Sequence, residues 1–235
     1  MPTTVELPQG AQGSRRAETT MANREQLSIL KKGVIAWNLW RESHPKSRAD
    51  LIDCELKSAE LNGAHLEKAD LQDCRMDAAM LQGAHLRYAD LERAHLHGAD
   101  LCEAHLEGAN LSSAHLEGAQ LTKANLDRAD LWEADLEGAN LEGATLAGAD
   151  LGGACLERAA LRSAELSGAC LRMANLEGAG LAGANFEGTL LVGAHVEGAD
   201  FTAARGLTQE QIDVAFGDPL TRLPDGLRMP DHWAG

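Results

Sequence analysis

Histidine recurs in this chain at intervals that would suit metal or proton chemistry. His65, His85 and His105 are twenty residues apart, and so are His95 and His115. If twenty residues return the chain over itself, each set becomes a ladder of imidazoles about 5 Å apart. Such a ladder could hold a metal ion, but no cysteine or carboxylate closes a tetrahedral set in a pocket. Its other chemistry is protonic, since imidazoles charged in mildly acid solution would offset part of the chain's negative charge. Cys54 and Cys74 share the twenty-residue spacing. Both fall where the surrounding pattern places small residues, so core filling outranks redox chemistry. Gly178-Ala179-Gly180-Leu181-Ala182-Gly183 matches a dinucleotide fingerprint letter for letter, yet no strand-turn-helix context surrounds it, and it is a false positive. With no P-loop, nucleophile elbow or paired acid and base in a cleft, neither an enzyme nor a cofactor is expected.

The remaining chemistry is electrostatic. Asp50, Asp70, Asp90, Asp130 and Asp150 stand at the same spacing, interrupted by Asn110, with Asp73 and Glu133 beside them. Trp132, just after Leu131, should point outward among these carboxylates, as a contact candidate or packed on its neighbours. A column of this kind would present a face to a basic partner.

The elements that position these residues follow from a period of five. From Leu51 to Phe201, 31 pentad centres succeed one another without insertion or deletion, and 27 are Leu; the others are Met76, Phe186, Val196 and Phe201. Two positions earlier stands Ala in 28 pentads, with Cys54, Cys74 and Thr189 the exceptions. On an α-helix a step of five rotates successive Leu by about 140°, scattering them around the whole surface. On a straight strand the odd step sends alternate Leu into water. What remains is a short extended piece with the small residue and the Leu pointing the same way, then a corner. Gly at the second position after many centres, as at Gly63 and Gly118, suits a turn that needs positive φ.

This pattern of small residue, Asp or Asn, Leu or Phe and two variable positions resembles the pentapeptide repeat proteins. The resemblance covers residues 49–203 and implies an all-β solenoid: a right-handed quadrilateral parallel β-helix with four pentads per coil, centres and Ala inward. The 31 pentads then make about 7.75 coils, roughly 37 Å of rod at 4.7–4.9 Å per coil. It also implies non-enzymatic binding: family members that protect gyrase from quinolones or peptide toxins are acidic DNA mimics, and this uninterrupted chain is similar to the loopless type. Gyrase or topoisomerase IV is thus the specific partner expected, and an interaction scaffold in regulation or signalling the alternative. In gyrase-binding members a C-terminal helix makes the homodimer.

The charge fits that expectation. The chain carries a net −15, divided as +4 over residues 1–48, −17 over 49–204 and −2 beyond. The face containing Leu51 and every fourth pentad after it sums to −7, and the next face to −5. B-DNA carries about 22 charges over the same length, so the rod approaches the charge density of a duplex. Direct binding to nucleic acid or to an anionic membrane is not expected of such a surface. Five Cys without paired spacing fit reduced thiols. No stretch reaches the ~18 apolar residues of a membrane span and the first twenty residues are polar, so a cytoplasmic protein is expected.

The flanks read as caps. Within residues 1–48, a disordered arm over 1–20 precedes one amphipathic helix from Asn23 to Glu42, with Asn23 as N-cap, Gln26 at the capping-box position, and Leu27, Leu30, Val34 and Trp37 on one face. Lys31, Lys32 and Arg41 also suit a partner-binding or membrane-surface helix, and in the scaffold alternative the helix bearing Trp37 and Trp40 would be the contact. Within residues 204–235, Thr208 and Gln211 spell a capping box opening a short helix that ends near Gly217, followed by an irregular tail with Pro219, Pro224 and Pro230. Ile212 and Phe216, four apart, would share one face of that helix as cap or dimer contacts against Met173, Leu190 and Val192.

Overall fold

Each pentad makes one extended step and one turn, and the turn sets the shape. The N–H of Ala59 donates to the C=O of Leu56 at 3.0 Å, joining the first and fourth residues of a turn whose third residue, Ser58, has φ 54°. Positive φ at the third position defines a type II turn. All 31 pentads share the positive φ: the residue two beyond the centre is glycine in fifteen and another residue in sixteen, with φ between 52° and 72° throughout. The computed structural model describes residues 22–234, and the arm expected over 1–20 lies outside the described residues.

Four turns return the chain over itself. Parallel bridges link Asp50 to Asp70 and Asp90, Glu55 to Arg75 and His95, Glu60 to Met80 and Asp100, and His65 to His85 and His105. These four ladders define faces one to four, containing Leu51, Leu56, Leu61 and Leu66 respectively. Leu51 N–H donates to the C=O of Asp70 at 2.8 Å, and Asp70 N–H returns to the C=O of Ala49 at 2.8 Å, so neighbouring coils satisfy each other's backbone. All 31 centres are buried, as are the small inward residues apart from the partly buried Ala59. Thr189 is tolerated there because its hydroxyl donates to the C=O of Leu166 at 2.8 Å. The prism is filled with side chains, and its outside is what it offers to other molecules.

At the N-terminal end the single expected helix is two. Helix α1 spans Arg24–Leu30 and α2 spans Val34–Ser43, broken at Gly33, whose φ of 113° no helix accommodates. Asn23 caps α1 as read, its side chain accepting from Glu25 and Gln26 N–H. Gln26 does not complete a capping box. Its amide accepts from Asp50 N–H at 2.7 Å and donates to the C=O of Arg48 at 3.3 Å, tying α1 to the first coil. Leu30 and Trp37 are buried against the coil, and Ile35 and Leu39 face outward, 80% and 61% exposed.

At the C-terminal end the Thr208 and Gln211 capping box is present and α3 spans Gln209–Asp213, shorter than expected. The ladder runs on past residue 203: Asn185 pairs with Arg205, His195 with Phe216 and Asp200 with Arg222. Spacings of 20, 21 and 22 residues reveal an irregular further coil. Phe216 is therefore not a helical neighbour of Ile212. It is a ladder residue on the outside, its ring 5.2 Å from that of His195, whereas Ile212 is fully buried. Gly217 occupies the place of a centre, and the ring of Trp233, from a 3-10 turn over Asp231–Trp233, lies where its side chain would be. Trp233 Nε1 donates to the C=O of Ala215 at 3.0 Å. Among the described residues, no helix is long and apolar enough to cross a membrane.

Candidate functional site

Face one carries the acidic column, and the fold explains why Asp recurs there. The residue before each centre starts the step that leads into the turn, and its side chain can accept from the N–H two residues on. Asp130 accepts from Trp132 N–H at 3.0 Å, Asp150 from Gly152 at 3.0 Å, and Asn110 from Ser112 at 3.0 Å. These Asx turns give Asp and Asn a local structural role at the same position. Their repetition follows from folding. Only the preference for Asp over Asn, which both serve the turn, adds charge.

The column is a continuous ladder from Asp50 through Asp70, Asp90, Asn110 and Asp130 to Asp150, but its carboxylates are not equally available. Asp70 pairs with Arg48 at 2.9 Å. Burial nonetheless pushes its carboxyl above the ordinary range, against the pull of Arg48 and with the help of Asp90 and Asp50. Asp73 receives both Arg93 Nε and a terminal nitrogen at 2.9 Å, a bidentate fork that holds its carboxyl below the usual range. Asp90 takes hydrogen bonds from Gln72 at 2.5 Å and Asn110 at 3.0 Å. Asp130, Glu133 and Asp150 have no cationic partner among the described residues. Asp50 and Asp90 have none either, but Asp130, Glu133 and Asp150 fall together on two neighbouring coils, with Asp135 next door on face two.

Trp132 sits at the middle of this group, 48% exposed. Its ring covers Gly152, so it packs on its neighbour one coil further along and leaves the rest of the indole accessible. Further along face one the surface turns apolar, with Met173, Leu190 and Val192 all more than 40% exposed.

The histidine ladders are formed as the spacing implied. Ring centroids lie 4.9 Å apart for His65 and His85, 5.2 Å for His85 and His105, and 4.9 Å for His95 and His115. Carboxylates flank them: His85 Nδ1 is 3.3 Å from Glu67, and His115 Nδ1 is 3.7 Å from Glu117. Among the described residues, no group of three or more His, Cys, Asp or Glu is arranged to hold a metal ion. Cys54 and Cys74 depart from the expectation of reduced core thiols. Their Cα atoms are 4.6 Å apart and their sulfurs form a disulfide. The stacking of like positions in adjacent coils brings the two side chains within bonding reach, a consequence of the period that odd cysteine counting overlooked.

Pentapeptide repeats, in eight copies, match residues 49–87, 89–127, 124–162, 141–178 and 179–205. The chain belongs to the pentapeptide repeat family. Among solved pentapeptide repeat proteins, HetL of the cyanobacterium Nostoc sp. strain PCC 7120, involved in heterocyst differentiation regulation, is 33% identical over 79% of this chain and 85% of its own, with a TM-score of 0.40. A thylakoid-lumen member from Arabidopsis thaliana is 33% identical over 48% of this chain and 77% of its own, with a TM-score of 0.38. A trypsin-treated variant of QnrB1, a plasmid-mediated fluoroquinolone resistance protein, is 18% identical over 72% of this chain and 91% of its own, at a TM-score of 0.50. No curated protein is significantly similar to the chain. The pentapeptide repeat relatives imply that the four-sided coil is a right-handed quadrilateral β-helix.

Two features of the pentapeptide repeat surface escaped the sequence reading. The Arg93 fork that neutralises Asp73 joins residues exactly one coil apart, a pairing that the twenty-residue register contains but that charge counting by face conceals. A recess where α2 meets face four, lined by Arg41, Lys46, Arg48 and Lys68 with Glu42 and Glu67, draws its cations from α2, the linker after it and a pentad turn, and has no sequence motif.

Proposed function

We propose that this protein is a non-enzymatic binding protein whose acidic solenoid surface engages a basic partner. In its specific form the rod is a DNA mimic that occupies the DNA-binding saddle of a type II topoisomerase, gyrase or topoisomerase IV, and inhibits it or protects it from antibiotics. The observation that carries this reading is the in-register column on face one, with Asp130, Glu133 and Asp150 uncompensated around the half-exposed Trp132. A rod whose repeat region bears −17 over about one helical turn of duplex length would compete for the same lysines and arginines as DNA. Fluoroquinolone resistance, stated in the name of QnrB1, fits such a role. A topoisomerase partner would place the protein in the cytoplasm. Phe216 and the apolar end of face one remain open to a second copy, so a homodimer is compatible with this use of the rod, while the buried Ile212 serves the cap.

The test is a supercoiling assay with purified gyrase, comparing the natural chain with a triple variant Asp130→Asn, Glu133→Gln and Asp150→Asn. Asn supports the same Asx turn, as Asn110 and Asn140 do, so the variant should keep the fold. The effective concentration should rise at least about tenfold in the variant, and the natural protein's effect should weaken with salt. No effect of the natural protein up to tens of micromolar would refute the topoisomerase reading.

A scaffold in regulation is the second reading, supported by 33% identity to HetL. Its contact would be the N-terminal helix pair. Because Trp37 is buried, the available surface there is the outward pair Ile35 and Leu39 of α2.

A further inference from the structure

The first coil has no coil beneath it, and its four ladder residues are treated differently. Asp50 is closed by α1: its N–H donates to Gln26 Oε1 at 2.7 Å, and its C=O accepts from Asn23 N–H at 2.9 Å. His65 is closed by α2: its N–H donates to Asn38 Oδ1 at 2.9 Å, and its C=O accepts from Trp37 Nε1 at 2.9 Å. Glu55 and Glu60, on faces two and three, find no such partner for either backbone group among the described residues. The centres behind them, Leu56 and Leu61, are 3% and 2% exposed, more than any other centre of the rod. This corner is therefore held from the second coil only, through bonds such as Arg75 N–H to Cys54 C=O and Leu56 N–H to Arg75 C=O, both 2.8 Å. Backbone held on one side opens more readily than backbone held on two.

Cys54 stands at the start of this corner. It and Cys74 are the two cysteines among the 31 small inward positions, and they fall on adjacent coils of one column, 2% and 0% exposed. The other three cysteines, Cys102, Cys155 and Cys170, are free and outward. A bond between Cys54 and Cys74 joins the first coil to the second where the end of α1 lies alongside but neither helix hydrogen-bonds the ladder backbone.

We propose that the Cys54–Cys74 disulfide is a redox latch that holds the uncovered corner from Cys54 to Leu61 on the second coil, and that reduction frees this corner to open. With glutathione the exchange balances as follows. One glutathione thiolate attacks a cysteine sulfur, forming a mixed disulfide and releasing the other cysteine, which takes up the proton. A second glutathione thiolate resolves the mixed disulfide, leaving two protein thiols and one glutathione disulfide. Both sulfurs are buried, so attack waits on opening of the corner. The opened corner bares Leu56 and Leu61 and the edge of Glu55 and Glu60 beside Lys31, Lys32 and Lys57.

The full chain equilibrated with glutathione disulfide, then denatured and alkylated, should carry three labels; equilibrated with reduced glutathione it should carry five. Hydrogen exchange of residues 55–61 should quicken at least about tenfold on reduction, while the coils from Leu91 to Leu171 stay unchanged. A double variant, Cys54→Ala with Cys74→Ala, should show the hydrogen exchange of the reduced chain in both buffers while carrying three labels in each. Five labels under oxidising conditions would overturn the latch, and so would three labels with identical exchange in the two states.

Discussion

The indole of Trp132 covers the backbone of Gly152, the residue one coil further along the same face: a Cβ on Gly152 would lie 2.6 Å from the ring atom Cε3. Gly152 is buried by this cover and has no positive φ, so its backbone alone would accept a side chain. Gly152→Ala should therefore lift the indole without disturbing the coil. The expected outcome is a red shift in Trp132 emission and greater acrylamide quenching, with a loss of about 1–2 kcal/mol in denaturant unfolding as half the ring's contact is given up. Unchanged emission would mean that the ring does not rest there in solution.

Arg93 and Asp73 also bind across one coil, and their pairing is visible in pH. The fork holds the Asp73 carboxyl below its ordinary value, so the pair stabilises the fold above the unfolded carboxylate pKa and loses that contribution as pH falls through the folded value. Both groups are about half exposed, which limits the effect to less than about 1 kcal/mol. Arg93→Ala should return the Asp73 titration, followed by carboxyl-carbon NMR, upward toward the usual range.

Asp70 predicts the opposite sign. Burial, followed by the charges of Asp90 and Asp50, raises its carboxyl, and Arg48 only partly offsets this. The folded state then holds the proton to higher pH than the unfolded chain does, so stability falls as pH rises from the unfolded to the folded value. Asp70→Asn removes the ionised form and should leave the melting temperature equal or higher at pH 7, with the difference vanishing in acid. A clear drop in melting temperature at pH 7 would show that the Arg48 pair outweighs the burial.

What the sequence made legible is what the period governs. A five-residue spacing of Leu and Ala fixes which side chains are inward, and the twenty-residue register that the family resemblance supplied aligned Asp50 with Asp150 and stacked His65 on His85. The break at Gly33 was harder to read because a continuous apolar stripe from Leu27 to Trp37 spans both helices, and a stripe does not report a change of axis. The last coil was hidden because one-residue insertions before Phe216 and Arg222 destroy the pentad rhythm while preserving the ladder. At the candidate site, the column was readable but its neutralised members were not: whether Arg93 turns toward Asp73 or toward solvent depends on side-chain reach, which no spacing encodes.

Trp233 substitutes for a missing centre, so its loss should cost what a core aromatic costs. It fills the space above Gly217, and its indole N–H satisfies the C=O of Ala215. Trp233→Ala should destabilise by about 3–5 kcal/mol, and Trp233→Phe by less, because His232 Nε2, 3.0 Å from the Ala215 carbonyl, still serves that oxygen. If the final coil unfolds separately from the rod, hydrogen exchange will quicken between Ile212 and Arg222 while the centres near Leu111 keep their protection.

Every pentad turn requires a left-handed third residue, whatever its side chain, and sixteen of the 31 meet that requirement without glycine. The strain at such a residue is roughly 1–2 kcal/mol, offset by the hydrogen bonds of the coils on either side. At Ala78, with φ 52°, the side chain is a methyl group on a corner, so Ala78→Gly should relieve strain and raise stability by up to about 1 kcal/mol, less the extra freedom that glycine has in the unfolded chain. The reverse change at Gly118, φ 66°, meets no neighbouring atom within 4 Å, so Gly118→Ala isolates the backbone term and should cost about 1 kcal/mol. Chemical denaturation of the two variants measures both signs in the same scaffold. Equal stability of Gly118→Ala and the natural chain would show that the turn tolerates a side chain freely, and the prevalence of glycine at this position would then have no conformational basis.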